Sequence, residues 1–465
     1  MNKFRKEHDL LGEREIDNSA YYGVQTLRAI ENFHITGIKL KDFPIFIKSL
    51  AQVKKAAALA NAELNLLKKE ICGFIVKACD EIIEGKFHEH FLVDMIQGGA
   101  GTSTNMNINE VVANRALELA GKQKGDYDFI HPNNHVNLSQ STNDAYPTAI
   151  RLAILQTVPT LIDVLKETCD ALKEKSKEFS DVIKMGRTQL QDAVPMTLGQ
   201  EFHAFYVTLK EDITRIEEIE KIFLEVSMGG TAIGTGLNSH PNYVKTVLKH
   251  LRKVTKFHLV SSDDLIEATS DTGSFVLFSG MLKRLAVKLS KICSDLRLLS
   301  SGPRCGFGDI TLPPVQPGSS IMPGKVNPVI PEVVNQIAYQ VIGNDLTVTL
   351  ASESGQLQLN VFEPVIVFNI FQSVLMLSRG MKTLTHLCIQ GIVANREHCR
   401  KSVENSIGLV TALNPYIGYE SSTKIAQEAL ISGKSVFELV LEHKLLSREK
   451  LEEILKPENM ISLKK

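Results

Sequence analysis

Apolar residues at Phe275, Phe278, Leu282, Leu285, Leu289, Ile292, Leu296 and Leu299 recur at alternating steps of three and four. That period follows one face of an α-helix, and four such pairs in succession demand a long helix packed lengthwise against others. Lys283, Arg284, Lys288, Lys291 and Arg297 fall off the stripe, on the face left to water. Similar stripes run through Leu155, Val158, Ile162, Leu165, Cys169 and Leu172, and through Phe202, Phe205, Leu209, Ile213, Ile216 and Ile219. Two more follow: one from Pro331 through Val334, Ile337, Ala338 and Val341, the other from Pro364 to about Ile389. Proline suits a first helical turn, where its missing N–H has no partner to lose. Five helices of about 25 to 30 residues would each be about 40 Å long, more apolar flank than one five-helix unit hides, so the pattern predicts association between copies.

Before residue 140 the helical pattern breaks into shorter pieces, and beyond Asn395 it shortens again, with Gly418 and Gly433 as stops. The expected organisation is mainly α, in three domains: a mostly helical N-terminal domain over 1–140, a central long-helix bundle over 141–395, and a small helical domain over 396–465. At 465 residues and 43% hydrophobic content the chain has material for such cores. Lys+Arg 52 against Asp+Glu 53 gives a net charge of −1, without the basic excess that nucleic acid or an anionic membrane would attract. Seven cysteines, scattered without a C-x-x-C pair, point to reduced thiols in a cytoplasm. The first nine residues are charged and lack the apolar run of a signal peptide. The most apolar window, Val365 to Ser378, is interrupted by Asn369 and Gln372 and reads as a buried helix rather than a membrane span.

The segment Pro317-Gly318-Ser319-Ser320-Ile321-Met322-Pro323-Gly324-Lys325-Val326-Asn327-Pro328 has a different character. Three prolines and two glycines in twelve residues forbid a helix, so an irregular loop presents serine hydroxyls, backbone N–H groups and one lysine, a combination suited to an anion. It is not a phosphate loop: five residues separate the glycines and Val326 follows the lysine. Three further polar clusters, 98–107, 139–144 and 186–192, each precede a helical stripe, where side-chain caps and free N–H groups form natural carboxylate pockets. Metal ligation is not expected. His131 and His135 are four apart, but Pro132-Asn133-Asn134 is read as preventing the helix that would aim both at one ion, and His88-Glu89-His90 lacks the H-E-x-x-H spacing. Arg187 reads equally as a carboxylate clamp or as an ion-pair partner of Asp192.

GSSIMPGKVNP from Gly318 to Pro328 resembles the signature of the fumarase/aspartase superfamily, and GGAGTSTNMN, SQSTNDAYPT and GRTQLQDAVPMTLGQEF follow the family order. Within it, Ala100, the continuation NPVIPEVVNQ and Gln189 in place of a fumarase histidine resemble the aspartate ammonia-lyase branch. The resemblance implies a tetramer whose sites draw loops from three subunits. It further implies elimination of ammonia from L-aspartate to give fumarate through an enediolate, or dehydration of malate if the chain is instead of the fumarase type. Ser319 would be the general base. Thr102, Ser141, Thr142 and Ser320 would hold the carboxylate next to the acidic carbon, and Thr188, Lys325 and Asn327 the other. Asn143, and Gln189 supported by Glu332, would face the amino group. No cofactor is required, although some relatives take an activating divalent cation such as Mg2+. The other readings are a non-catalytic binding protein of the same fold, and capture of the terminal Lys464 and Lys465 by a lysine-binding partner.

Overall fold

The first element is a hairpin. In the computed structural model, which describes residues 3–455 and 459, β1 (Phe4–Asp9) pairs antiparallel with β2 (Gly12–Asp17), from Phe4 against Asp17 to Asp9 against Gly12. The sequence pattern concealed it because charged residues crowd both faces. What holds it is Arg5, whose guanidinium donates to the carbonyls of Asp17, Ala20 and Tyr22 and to Glu7. Four helices follow: α1 (Val24–Asn32), α2 (Pro44–Glu63), α3 (Lys69–Ile83) and α4 (Thr102–Leu119). The start of α1 has no cap of its own. Glu110 on α4 accepts the N–H groups of Gly23, Gln25 and Thr26 and the Thr26 hydroxyl, while Glu7 accepts that of Val24.

Next come α5 (Thr142–Glu178), the hairpin β3 (Ile183–Thr188) and β4 (Gln191–Thr197), and α6 (Leu198–Phe223). A two-residue parallel pair, β5 (Glu225–Val226) with β6 (Val260–Ser261), brackets α7 (Tyr243–Thr255), and the short α8 (Glu267–Ser270) precedes α9 (Gly273–Leu299). Then α10 (Val329–Glu353) and α11 (Glu363–Leu387) complete the five long helices. β7 (Ile310–Thr311) pairs with β8 (Val393–Ala394), after which α12 (Arg396–Glu404), α13 (Val410–Ser432), α14 (Val436–Glu442) and α15 (Arg448–Ile454) close the described chain. Lys464 and Lys465 lie outside the described residues.

Every residue of the Phe275–Leu299 stripe is buried, as are Leu155, Val158, Ile162, Leu165, Cys169 and Leu172 on α5. On α6 the stripe is buried except at Ile213, which is half-exposed. At 37 residues α5 runs past the expected length, through Pro147 and Pro159. Burial on both sides of each proline outweighs the lost backbone bond, a cost of about 3 kcal/mol. Two helical segments, Thr142–Glu178 and Glu363–Gly391, are long and apolar enough to cross a membrane, yet most of each apolar window is buried within the protein.

The chain divides into two compact units: 1–162 with 214–284 and 340–376, and 163–213 with 285–339 and 377–465. The core of the first carries edge-on ring pairs, Phe46 with Tyr146 and Phe371, and Phe223 with Phe278. The second carries Phe202 against Phe179 and Phe205. Within it, Leu413, Ile425, Ala429, Val436, Leu439, Val440, Leu451 and Ile454 close a separate small core among the last helices. Gly433 ends α13 in the left-handed conformation as expected, whereas Gly418 kinks that helix without stopping it.

One buried acid in the first unit makes a pH prediction. Burial lifts the carboxyl of Glu363 from the ordinary 4.5 to about 8, against the pull of the Arg151 charge. Between those values the folded chain holds a proton that the unfolded chain has released, so stability falls as pH rises from about 4.5 through 8. Unfolding free energies from urea titrations at pH 6 and pH 8.5 should therefore differ in the native chain, by on the order of 2 kcal/mol, and converge in Glu363→Gln. An unchanged slope in the variant would refute the assignment.

Candidate active site

The 317–328 loop is an irregular, mostly exposed segment, as its composition requires. Its ends are tied together: Gly318 N donates to Lys325 O at 2.7 Å and Asn327 Nδ2 donates to Gly318 O at 2.7 Å. A Cβ on Gly318 would sit 2.7 Å from Lys325 O and 2.8 Å from Asn327 N, so the closure admits only glycine there. Inside the loop the Ser319 hydroxyl oxygen accepts two backbone N–H groups, from Ile321 at 3.2 Å and Met322 at 3.1 Å. Two donors aimed at one hydroxyl oxygen favour its deprotonated form. They come from Ile321 and Met322 rather than from the glycines. The Lys325 side chain is exposed and makes no hydrogen bond or ion pair among the described residues, and Ser320 is exposed as well.

Thr188 and Gln189 stand at the tip of the β3–β4 hairpin, which corrects the expectation that the 186–192 cluster leads directly into a helix. Gln189 and Leu190 take φ of +51° and +63°, the left-handed geometry of the tight turn that follows strand twist. Neither is glycine, asparagine or aspartate, so no turn signal was visible in the sequence. At the base of the hairpin Asp309, 1% exposed, accepts Arg187 at 2.6 Å and Lys184 at 3.0 Å, and Lys184 also reaches Glu201 at 2.6 Å. Arg187 is thus an ion-pair residue, with Asp309 in the place considered for Asp192. Glu332 lies in the first turn of α10 and shares no hydrogen bond with Gln189 within the chain. These residues and the 317–328 loop all belong to the second unit.

Thr102, Ser141, Thr142 and Asn143 belong to the first unit. Thr102 is the first residue of α4 and its hydroxyl donates to Gly99 O at 2.7 Å. Thr142 opens α5, and Asn105, one turn into α4, donates from Nδ2 to Thr142 Oγ1 at 3.1 Å. That bond sets two helix N-termini side by side, each with the positive end of its dipole and one first-turn N–H, of Ser103 and of Thr142, outside the hydrogen bonds that satisfy the others. The Ser141 hydroxyl accepts Asn143 N, and Asn143 Nδ2 donates to Ala232 O at 2.7 Å. Asp144 ties the turn to the 229–231 segment by accepting N–H groups from Ser141, Gly229 and Thr231; burial raises its carboxyl to about 6 while those donors pull it down.

Two features here escaped the sequence. Lys54 on α2 is fully buried, with Nζ 2.6 Å from Asn105 Oδ1, 3.0 Å from Asn137 Oδ1 and 2.9 Å from Gln140 Oε1, and burial pushes its ammonium down to about 7. It sits among Ala51, Ala56, Ala57 and Ala58, where nothing in the pattern sets it apart from a surface lysine. The run Thr104, Asn105, Asn107, Asn109, Glu110 and Asn114 is likewise buried on α4. Its only sequence signal was the density of asparagine and threonine. Residues 132–136 do form one π-helical turn, contrary to expectation, because Pro132 presets its start and His131 Nδ1 accepts Asn133 N and Asn134 N. That bond occupies the His131 nitrogen, and His135 Nδ1 accepts His131 N. Among the described residues no three His, Cys, Asp or Glu side chains converge as a metal site.

A lyase family profile matches residues 12–343, and a second, described as the fumarase C C-terminus, matches 409–462. The aspartate ammonia-lyase of Helicobacter pylori strain J99 is 59% identical over 98% of this chain and 98% of its own length. A crystal structure described as a fumarate lyase:delta crystallin from Brucella melitensis, bound to cobalt, is 55% identical with a TM-score of 0.96, covering 99% of this chain and all of that one. A class II fumarase from Schistosoma mansoni is 35% identical with a TM-score of 0.93, covering 98% of this chain and 99% of that one.

Gly318→Ala should break the loop closure without touching the helices. Hydrogen–deuterium exchange of residues 317–328 is expected to accelerate several-fold while the melting temperature moves by less than about 2 °C; unchanged exchange would show that the two closing bonds do not hold the loop.

Proposed function

The chain belongs to the fumarase/aspartase superfamily of lyases, and from that premise we propose that it eliminates ammonia from L-aspartate to give fumarate. The observation that carries this reading is the Ser319 hydroxyl held by two backbone N–H donors inside GSSIMPGKVNP. The identity of 59% to an aspartate ammonia-lyase against 35% to a class II fumarase supports the choice of amine over water.

The reaction removes a weakly acidic proton from the carbon next to one carboxylate. As it leaves, the electron pair passes into that carboxylate, which becomes a dianionic enediolate. Lowering the energy of that charge is the main task. Ser319 takes the proton as an alkoxide. Each N–H donor to a charged oxygen contributes about 1.5 to 3 kcal/mol, so the pair supplies roughly two to four pKa units of the required acidification. Thr102, Ser141, Thr142 and Ser320 would hold the carboxylate that gains charge, drawing on the paired N-termini of α4 and α5. Thr188, Lys325 and Asn327 would hold the other. When the enediolate collapses, its electrons form the carbon–carbon double bond and the carbon–nitrogen bond breaks toward nitrogen. An ammonium substituent already bears its protons and departs as neutral ammonia, so the neutral amides of Asn143 and Gln189, with Glu332 behind Gln189, suffice to face it. A leaving hydroxide would need a proton, which an amide cannot supply near neutrality.

Tyr339, Ile342, Leu346 and Leu350 step by three and four along α10 and are 62%, 38%, 60% and 58% exposed. An apolar stripe of that length supports association between copies through the long helices, as a homotetramer whose subunits jointly supply the loops. We propose also that residues 1–140, 141–395 and 396–465 act as three domains, the last supported by its separate family match and its own core. A cytoplasmic setting is in keeping with seven cysteines that form no disulfide. No cofactor is required by this chemistry, and an activating divalent cation such as Mg2+ would act outside it.

Fumarate absorbance should rise with L-aspartate and much less with malate or argininosuccinate; faster turnover of malate would overturn the substrate assignment. Ser319→Ala should reduce kcat by at least about 1000-fold with KM little changed, since the hydroxyl acts on the reacting proton and not in binding. Leu346→Lys should shift sedimentation toward smaller species and lower turnover with it, and a fully active variant of unchanged mass would exclude α10 as the interface.

A further inference from the structure

We propose that Lys54 and Asn105 are positioning residues that fix the Thr142 hydroxyl as a hydrogen-bond donor to the carboxylate that becomes the enediolate; the inference deepens the aspartate reading and rests on it. An ammonium group has donors only, so each amide touching it must turn its oxygen inward. Three do: Asn105 Oδ1, Asn137 Oδ1 and Gln140 Oε1. The orientation of Asn105, ordinarily ambiguous between its two ends, is therefore dictated by the lysine. Its Nδ2 faces away, donating to Asn137 Oδ1 at 3.1 Å and to Thr142 Oγ1 at 3.1 Å. Asn137 Oδ1, which also accepts Asn109 Nδ2 at 3.2 Å, can only reinforce that orientation.

The consequence falls on one proton. With Asn105 donating into Thr142 Oγ1, the hydroxyl acts as acceptor in that bond and keeps its own hydrogen for another partner. Among the described residues it makes no other hydrogen bond. It opens α5, where a carboxylate would meet it together with the backbone N–H of Thr142 itself and the positive end of the helix dipole. A hydroxyl free to rotate could as well turn a lone pair toward an anion; this one is committed to donate before substrate arrives. Packing alone does not account for the lysine. Ala51, Ala57 and Ala58, one turn away on α2, are small and apolar, and a buried ammonium costs the fold desolvation that an apolar side chain would avoid. The depression of Lys54 to about 7, caused by burial and opposed by the charge of Asp144, records that cost.

The test is a double-mutant cycle on the assembled enzyme. Asn105→Asp keeps the size and the Lys54 contact but replaces the donor with an acceptor, which draws the Thr142 proton inward. It should lower kcat/KM for L-aspartate by about 10- to 100-fold, and Thr142→Val by a similar factor. In the double variant the loss should equal that of Thr142→Val alone, and in a Thr142→Ser background Asn105→Asp should cost as much as in the native chain. Losses that multiply would mean that Asn105 acts elsewhere, and would overturn the proposal. If Asn105→Asp assembles poorly, Lys54→Gln is carried through the same cycle under the same criterion. Native turnover of L-aspartate is measured alongside: if malate proves the better substrate the substrate reading falls, while the cycle is read on malate and still decides this inference.

Discussion

Lengthwise burial of apolar stripes on five long helices is the constraint to which the other features answer. Residues such as Phe278, Leu285, Leu289 and Leu296 lose essentially all solvent contact, and each such burial contributes about 2 kcal/mol. That driving force makes tolerable what no short helix would survive: prolines inside α5, a kink at Gly418 in α13, and a helix, α4, that buries four asparagines, a threonine and a glutamate among its apolar residues. Rigid helices also end abruptly. Their N-termini present unpaired N–H groups at fixed positions, and the polar residues of the chain gather there.

The residues proposed for the site are mostly neutral. Ser319 receives two backbone N–H groups, Thr142 receives an amide, and Ser141 receives Asn143 N. Lys325 is the one cation among the residues proposed to touch substrate; in the first unit Lys54 supports Asn105, and in the second the Lys184, Arg187 and Asp309 group anchors the β3–β4 hairpin. Neutral donors held in place stabilise a charge that appears only during reaction without binding the ground state too tightly, whereas mobile cations would favour both states alike. Some of the chain's backbone strain falls in these regions: Ala100, Gln189 and Leu190 adopt positive φ close in sequence to residues proposed to touch substrate.

The helical architecture was legible because a 3.6-residue period survives any arrangement of neighbours; the stripe from Phe275 to Leu299 allowed one reading and is buried throughout. The GSSIMPGKVNP loop was legible as an anion-suited loop for a comparable reason, since proline and glycine act on their own backbone. The N-terminal hairpin was not, because Arg5 holds it through carbonyls 12 to 17 residues away and no alternation marks the strands. Nor was the turn at Gln189 and Leu190, where tertiary anchoring at Asp309 overrides the preference for glycine or asparagine. The turn at 132–136 formed against expectation because a histidine nitrogen replaced the missing cap.

Local rules written into consecutive residues, periodicity and backbone chemistry, determined the helices and the exposed signature loop, and the resemblance of its motifs to the fumarase/aspartase superfamily implied the reaction class. Which hydroxyl receives donors, which lysine is stripped of water, and which way an asparagine turns were decided only by the tertiary structure. Those properties belong to pairs of residues far apart in the chain, as Lys54 is from Asn105 and Asn137, and a hydrogen bond or a desolvation has no value until both partners are in place.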